Sequence, residues 1–232
     1  MDKEIDSEIM ENCSQLRPIE YPKKCLVLLS GGLDSTTLAF WLKNQEYVIE
    51  ALYFDYGQGQ INSERRCAMV IAKKLDISLH VIETPRPSDS LKNTTSSRDP
   101  YLRLNDVKLF GDVVGMCTIA ATFAFINGFD SIVLGINTDN VRAHSALNPS
   151  FFRTIEKLAS LWIGSRIRVL TPFLQKDKSS VMRIGARLGV PYSDTWSCGV
   201  NVEKHCGKCV ECLARKGAFK EIGLPDPTEY EC

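Results

Sequence analysis

Cys25-Leu26-Val27-Leu28-Leu29-Ser30-Gly31-Gly32-Leu33-Asp34-Ser35-Thr36-Thr37 is an apolar run of strand length that ends in paired glycines and passes directly into a stretch of helical period. A strand feeding a helix through glycine makes an anion site. The glycines let backbone N–H groups come close to an anion, and the start of the helix adds unpaired donors and a partial positive charge. Ser30, Ser35 and Thr36 add hydroxyl donors. Asp34 is the exception, because a carboxylate beside phosphates repels them unless a cation lies between. Mg²⁺ resolves that conflict by taking one or two carboxylates together with phosphate oxygens. The plainer alternative is a glycine turn in which Asp34 is only a helix N-cap. The string contains neither the Gly-Lys-Ser/Thr of a Walker loop nor the Gly-x-Gly-x-x-Gly of a dinucleotide fold.

Outward from this loop, short apolar or β-branched runs at 26–30, 47–54, 78–82, 131–135 and 167–170 alternate with helical stretches at 35–44, 61–76, 109–127, 149–163 and 176–188. Asp34-Ser35 is read as lying ahead of the first helix. The fifth is expected to begin near Asp177 and to stop at Gly189-Val190-Pro191. Such alternation predicts an α/β fold, a parallel five-stranded sheet with helices on both faces and right-handed crossovers. The ligand is then expected beyond the carboxyl ends of the strands, where strand order reverses. The polar stretch 84–106 is long for a loop and reads as a lid or a mobile segment. A second loop is expected after Gly135, through Asn137, Asp139, Arg142 and His144, on the same edge.

The chain has 232 residues, 44% of them hydrophobic, which supports one substantial core and a small second module. Lys and Arg number 28 against 28 Asp and Glu, so no overall positive field draws a nucleic acid. No apolar run approaches the ~20 residues that cross a bilayer. Residues 1–20 lack the apolar core of a signal peptide, so a cytoplasmic protein with no membrane partner is expected.

Nine cysteines is an odd number, and Cys198, Cys206, Cys209 and Cys212 give C-x7-C-x2-C-x2-C with Gly199 and Gly207 at the turns. Four thiolates at this spacing can close a tetrahedral site, and soft ligands with no open position suit structural zinc. An iron–sulfur cluster competes, since C-x2-C-x2-C also occurs in ferredoxins. His205 is read as solvent-facing or as an outer neighbour of the site. Cys25, Cys67 and Cys117 read as buried apolar residues.

The loop Ser30-Gly31-Gly32-Leu33-Asp34-Ser35 resembles that of the PP-loop ATP pyrophosphatases, and this resemblance implies ATP as co-substrate and AMP as a product. It also assigns ATP-binding roles to Asp55, Tyr56, Gln58 and Gly135, and places Lys178 against the leaving pyrophosphate. Thr195-Trp196-Ser197-Cys198, running on to His205-Cys206-Gly207-Lys208-Cys209-Val210-Glu211-Cys212-Leu213-Ala214-Arg215, narrows the resemblance to the QueC family, over about residues 24–220. It implies an enzyme that adenylates 7-carboxy-7-deazaguanine, forms the amide with ammonia, then activates and dehydrates that amide to a nitrile. Three segments are then expected: an N-terminal extension at 1–23, the ATP-binding α/β domain at 24–194 and a zinc module at 195–232.

Two segments depart from the family pattern. Phe110-Gly111-Asp112-Val113 has an acid where those proteins carry Pro-Gly-Arg-Asn before the third helix, the alternative being that Asp112 is only a helix-start residue near the N-terminal dipole, and Val141 to Pro149 replaces Ser-Gly-Tyr-Pro-Asp-Cys-Arg. Gln60 stands where a His is common. Asp112, Asp139, Arg142 and His144 are therefore placed on the second-substrate side. An acid in place of Arg suits a cationic amine acceptor. QueC-like proteins of antiviral operons resemble ligases of this kind, which implies a protein amine as an alternative acceptor. From a different class, an ATP-binding sensor without turnover stays open, as does a homodimer.

Overall fold

The computed structural model describes residues 24–58, 61–84, 104–200 and 202–231; at 61 and 104–111 only the backbone is described. Five strands, β1 (Lys24–Leu28), β2 (Val48–Asp55), β3 (Leu79–Glu83), β4 (Ser131–Val133) and β5 (Arg168–Leu170), form one sheet in the order β3-β2-β1-β4-β5. Every neighbouring pair is parallel. The order reverses between β1 and β4, so the loops leaving those two strands open the crevice where parallel sheets hold ligands.

The helices are α1 (Leu33–Asn44), α2 (Ile61–Leu75), α3 (Leu104–Ile126), α4 (Thr138–Ala143), α5 (Pro149–Ile163), α6 (Lys178–Arg187) and α7 (Val210–Ile222). Successive strand side chains point to opposite faces. Cys25, Val27, Ile49, Ala51 and Tyr53 therefore pack one way, with Leu38, Trp41 and Leu42 of α1, Ala68 and Ile71 of α2, and Val181 of α6. Leu26, Leu52, Phe54 and Ile132 pack the other way, against Cys117, Ala120 and Ala124 of α3 and Phe152 and Ile155 of α5. The predicted α/β class, with a parallel five-stranded sheet and helices on both faces, is what the chain adopts.

Several local expectations change. Asp34 and Ser35 do not precede the first helix but lie in its first turn. The loop expected through Asn137 to His144 contains α4, because Asn137 and Asn140 close a reciprocal capping box at its start. Leu104 to Asp106, read as the end of a loop, already belong to α3. Because α3 begins at Leu104 and not at 109, Asp112 lies well past its first turn and is not a helix-start residue at the positive end. Most of the expected lid, 85–103, and Gln60 fall outside the described residues. Helix α7 was not anticipated; it packs Ala218 and Phe219 against Leu33, Met182, Val190 and Tyr192. No described helix is long and apolar enough to cross a membrane.

Candidate active site

The phosphate-type loop leaves β1 and enters α1 through Gly32, an extended N-cap residue with no side-chain cap. Helices α4, α5, α6 and α7 differ: Asn137, Asn148, Asp177 and the Cys209 thiol cap them. The first N–H groups of α1 are thus left for a ligand. The hydroxyls of Ser30 and Ser35, read from sequence as phosphate donors, are engaged with each other and shape the loop. They lie 3.0 Å apart, and Ser35 Oγ also accepts from the Ser30 N–H at 3.2 Å. Thr36 is fully buried, and its hydroxyl has no partner among the described residues. Leu33 anchors the loop in the cluster it shares with α7.

Gly31 is required by its surroundings. Its φ is +77°, and a Cβ there would lie 2.6 Å from the Glu64 carbonyl oxygen and 2.9 Å from the Ala68 nitrogen of α2. Gly31→Ala adds left-handed strain to that collision, and a loss of about 3 kcal/mol of stability is expected, read as a lower denaturant midpoint. An unchanged midpoint would show that α2 can give way.

Asp34 is not an N-cap. Its Oδ2 accepts from Lys178 Nζ at 2.8 Å, and its Oδ1 is buried with no partner among the described residues. Lys178 opens α6, as the sequence suggested, and Asp177 caps that helix by accepting from the Ser180 N–H at 2.7 Å. Hydrogen bonds from Ser180 hold the Asp177 carboxyl below its usual range. The backbone N–H of Lys178 donates to Asp139 Oδ2 at 3.0 Å, while Arg142 holds the other Asp139 oxygen at 3.0 Å. Asp139 and Arg142, assigned by resemblance to the second substrate, therefore reach the Asp34–Lys178 pair through the start of α6. At Gly135 a Cβ would lie 3.0 Å from the Asp34 carbonyl carbon and the Ser35 nitrogen, so the two crevice loops are in contact. One carboxylate oxygen on an ammonium and the other buried and unmatched suits a divalent cation completed by phosphate oxygens.

The remaining sequence candidates are placed differently. Gln58 is buried, and its amide donates to Tyr53 Oη at 2.8 Å, the Phe54 carbonyl and Glu64, while its oxygen accepts from the Tyr56 N–H. It fastens the turn after β2. Asp55 accepts from the Gly57 N–H and lies 3.6 Å from Arg65. His144 is the C-cap residue of α4. Sequence reasoning gave no role to Tyr192, whose hydroxyl donates to the Met182 carbonyl at 3.0 Å and is 3.1 Å from Thr37 Oγ1. Its signal was weak: a Tyr following Gly-Val-Pro.

The four sulfurs of Cys198, Cys206, Cys209 and Cys212 lie within 4.8 Å of one another. Tetrahedral zinc–sulfur bonds of ~2.3 Å put sulfurs about 3.8 Å apart, so a small contraction closes the site. Backbone N–H groups of Cys206, Cys209 and Cys212 donate to the sulfurs of Cys198, Cys206 and Cys209 in turn. Hydrogen bonds from the Lys208 and Cys209 N–H groups lower Cys206 to about 6, whereas burial pushes the Cys198 and Cys212 thiols up. His205 is not solvent-facing: it is buried against Trp196, with ring centres 4.2 Å apart. Its Nε2 accepts from the Ser197 N–H at 3.0 Å, and burial, then Arg215, lowers it to about 4. The ring is therefore neutral and fixes the chain between two ligands. Cys25, Cys67 and Cys117 are buried, as read.

Sheet order, uncapped glycine loop and facing Asp–Lys pair define an α/β protein of the PP-loop type. The family described as "Queuosine biosynthesis protein QueC" matches residues 24–223. The 7-cyano-7-deazaguanine synthase of Methanoculleus marisnigri is 36% identical, covering 90% of this chain and 99% of its own. The enzyme of that name from Methanospirillum hungatei is 34% identical, covering 89% and 99%. This chain belongs to the QueC family. Among solved structures, NMN synthetase from Francisella tularensis shares the fold, with a TM-score of 0.58 at 16% identity over 97% of this chain and 87% of that one.

Proposed function

We propose that this chain is a QueC-type enzyme that uses ATP to activate the carboxylate of a 7-carboxy-7-deazaguanine-type acid and condenses it with a nitrogen nucleophile. The observation that carries the reading is the Asp34–Lys178 pair beside the uncapped start of α1. Family membership supports the substrate class, since the relatives are described as 7-cyano-7-deazaguanine synthases.

In this reading the N–H groups at the start of α1 hold phosphate oxygens of ATP, and Gly135 lets the loop after β4 approach the backbone of Asp34 and Ser35. Asp34 would hold Mg²⁺, which would neutralise charge on the phosphates. The acid's carboxylate oxygen attacks the α-phosphorus, the bond to the β-phosphate bridge breaks, and pyrophosphate leaves past Lys178. The amine nitrogen then displaces AMP at the acyl carbon and loses a proton. With ammonia the product is the amide. A second ATP adenylates the amide oxygen with release of pyrophosphate, and loss of AMP and of the two nitrogen-bound protons gives the nitrile. Residues 195–232 act as a structural module held by zinc on the four cysteines, beside the ATP-binding domain at 24–194.

The deciding experiment incubates the protein with ATP, Mg²⁺ and 7-carboxy-7-deazaguanine, with and without ammonia. Pyrophosphate and AMP formed with a mass-detected nitrile is the expected result. An amide adduct on a protein lysine would replace ammonia with a protein acceptor. Absence of pyrophosphate with every carboxylated deazapurine tried would leave the sensor reading in its place.

A further inference from the structure

The four-cysteine cluster and the glycine loop share one strap of chain, residues 192–198. On the loop side, the Trp196 N–H donates to the Gly31 carbonyl at 2.9 Å. Tyr192 Oη donates to Met182, so at 3.1 Å it accepts from Thr37 in α1. On the cluster side, Trp196 Nε1 donates to the Cys198 carbonyl at 2.8 Å, and the Trp196 ring packs with Cys67, Cys198, Cys206 and Cys212.

Arg215 clamps the strap from α7, the helix that Cys209 caps and whose first turn carries Cys212. It is 1% exposed. Its Nη2 donates to the Tyr192 carbonyl at 2.7 Å, and its Nη1 donates to Thr195 Oγ1 at 2.9 Å and Ser197 Oγ at 3.2 Å. Asp226, 3.4 Å from Nε, balances the charge. A buried guanidinium tolerates little displacement, because each lost partner leaves a donor without water. Gly31 is equally confined, between Trp196 on one side and the backbone of α2 on the other.

We propose that metal occupancy of the four cysteines and nucleotide binding at the Ser30–Ser35 loop are thermodynamically coupled through this strap, with Arg215 as the positioning residue. The inference rests on the ATP and metal readings given above. Metal fixes Cys198 relative to Cys209 and Cys212, Arg215 carries that constraint to Thr195 and Ser197, and Trp196 sets the Gly31 carbonyl. The linkage is reciprocal: the factor by which metal tightens nucleotide equals the factor by which nucleotide tightens metal.

The test uses zinc-loaded full-length protein and a non-hydrolysable ATP analogue. Zinc transfer to a colorimetric chelator is followed with and without the analogue, and analogue affinity is measured by calorimetry. The expected result is zinc retention tightened about tenfold by saturating analogue. In Thr195→Val, which removes one acceptor of Arg215 and spares all four cysteines, zinc and analogue still bind but the factor falls to about two. Analogue that binds without changing zinc retention overturns the coupling. An unchanged tenfold factor in Thr195→Val overturns the strap as its path. Failure of loaded wild-type protein to bind the analogue sinks the ATP reading instead.

Discussion

Asp34→Asn is expected to lower ATP-dependent pyrophosphate release about 10²- to 10³-fold, the scale on which one preorganised electrostatic contact acts in a transition state. The substitution keeps the shape and removes the charge. Asp34 makes no N-cap bond that Asn would lose, since Gly32 begins the helix without one. What changes is the Oδ2 partner of Lys178 and the buried Oδ1, which has no partner among the described residues. An amide in that position cannot hold a divalent cation against phosphate as a carboxylate does, and in the proposed reading the ammonium of Lys178, relieved of its carboxylate partner, is left to attract ATP in the ground state. The loss should therefore fall on kcat more than on KM. The melting temperature should move little, because the pair is partly solvated and such pairs contribute modestly to stability. Turnover retained within a few fold would reduce Asp34 to a fastener between α1 and α6.

The class of fold was legible because each strand and helix carries its own period, and the two faces separate along a strand residue by residue. Cys25 and Val27 go to one core and Leu26 to the other. The loop was legible because its glycines have few other uses. Helix α4 was missed because its signal is six polar-rich residues held by a capping box that only Asn137 and Asn140 together complete. Helix α7 was missed because a cysteine acts as its cap, in a segment whose cysteines read first as ligands. Side-chain partners were less legible than positions in the fold. Gln58 and the two serines of the loop were assigned to nucleotide, and their polar atoms are engaged within the protein. Spacing shows that a polar residue is near a loop, not which neighbour its side chain meets. The Asp139 contact with the start of α6 crosses 39 residues of chain, and no local pattern announces it.

Cys212→Ser is expected to release the metal and to lower the melting temperature by about 10 °C. Cys212 is fully buried beneath Trp196 and in the first turn of α7. Serine offers a harder, shorter oxygen ligand that suits a soft four-sulfur site poorly. With three thiolates left, strap and helix start are no longer tied through metal, although the Arg215 hydrogen bonds to the strap and the apolar contacts of Ala218 and Phe219 remain. Those contacts limit the loss to a few kcal/mol rather than the whole binding energy of a structural metal, and at ~2–4 °C per kcal/mol for a chain of this size the shift follows. Metal analysis of the wild-type protein decides the ligand chemistry in the same experiment. About one zinc per chain supports the structural site, while iron with absorption near 400 nm would replace it with a cluster. Metal lost without any change in melting would show that packing of α7 on α1 and α6, not the cysteines, holds the C-terminal segment in place.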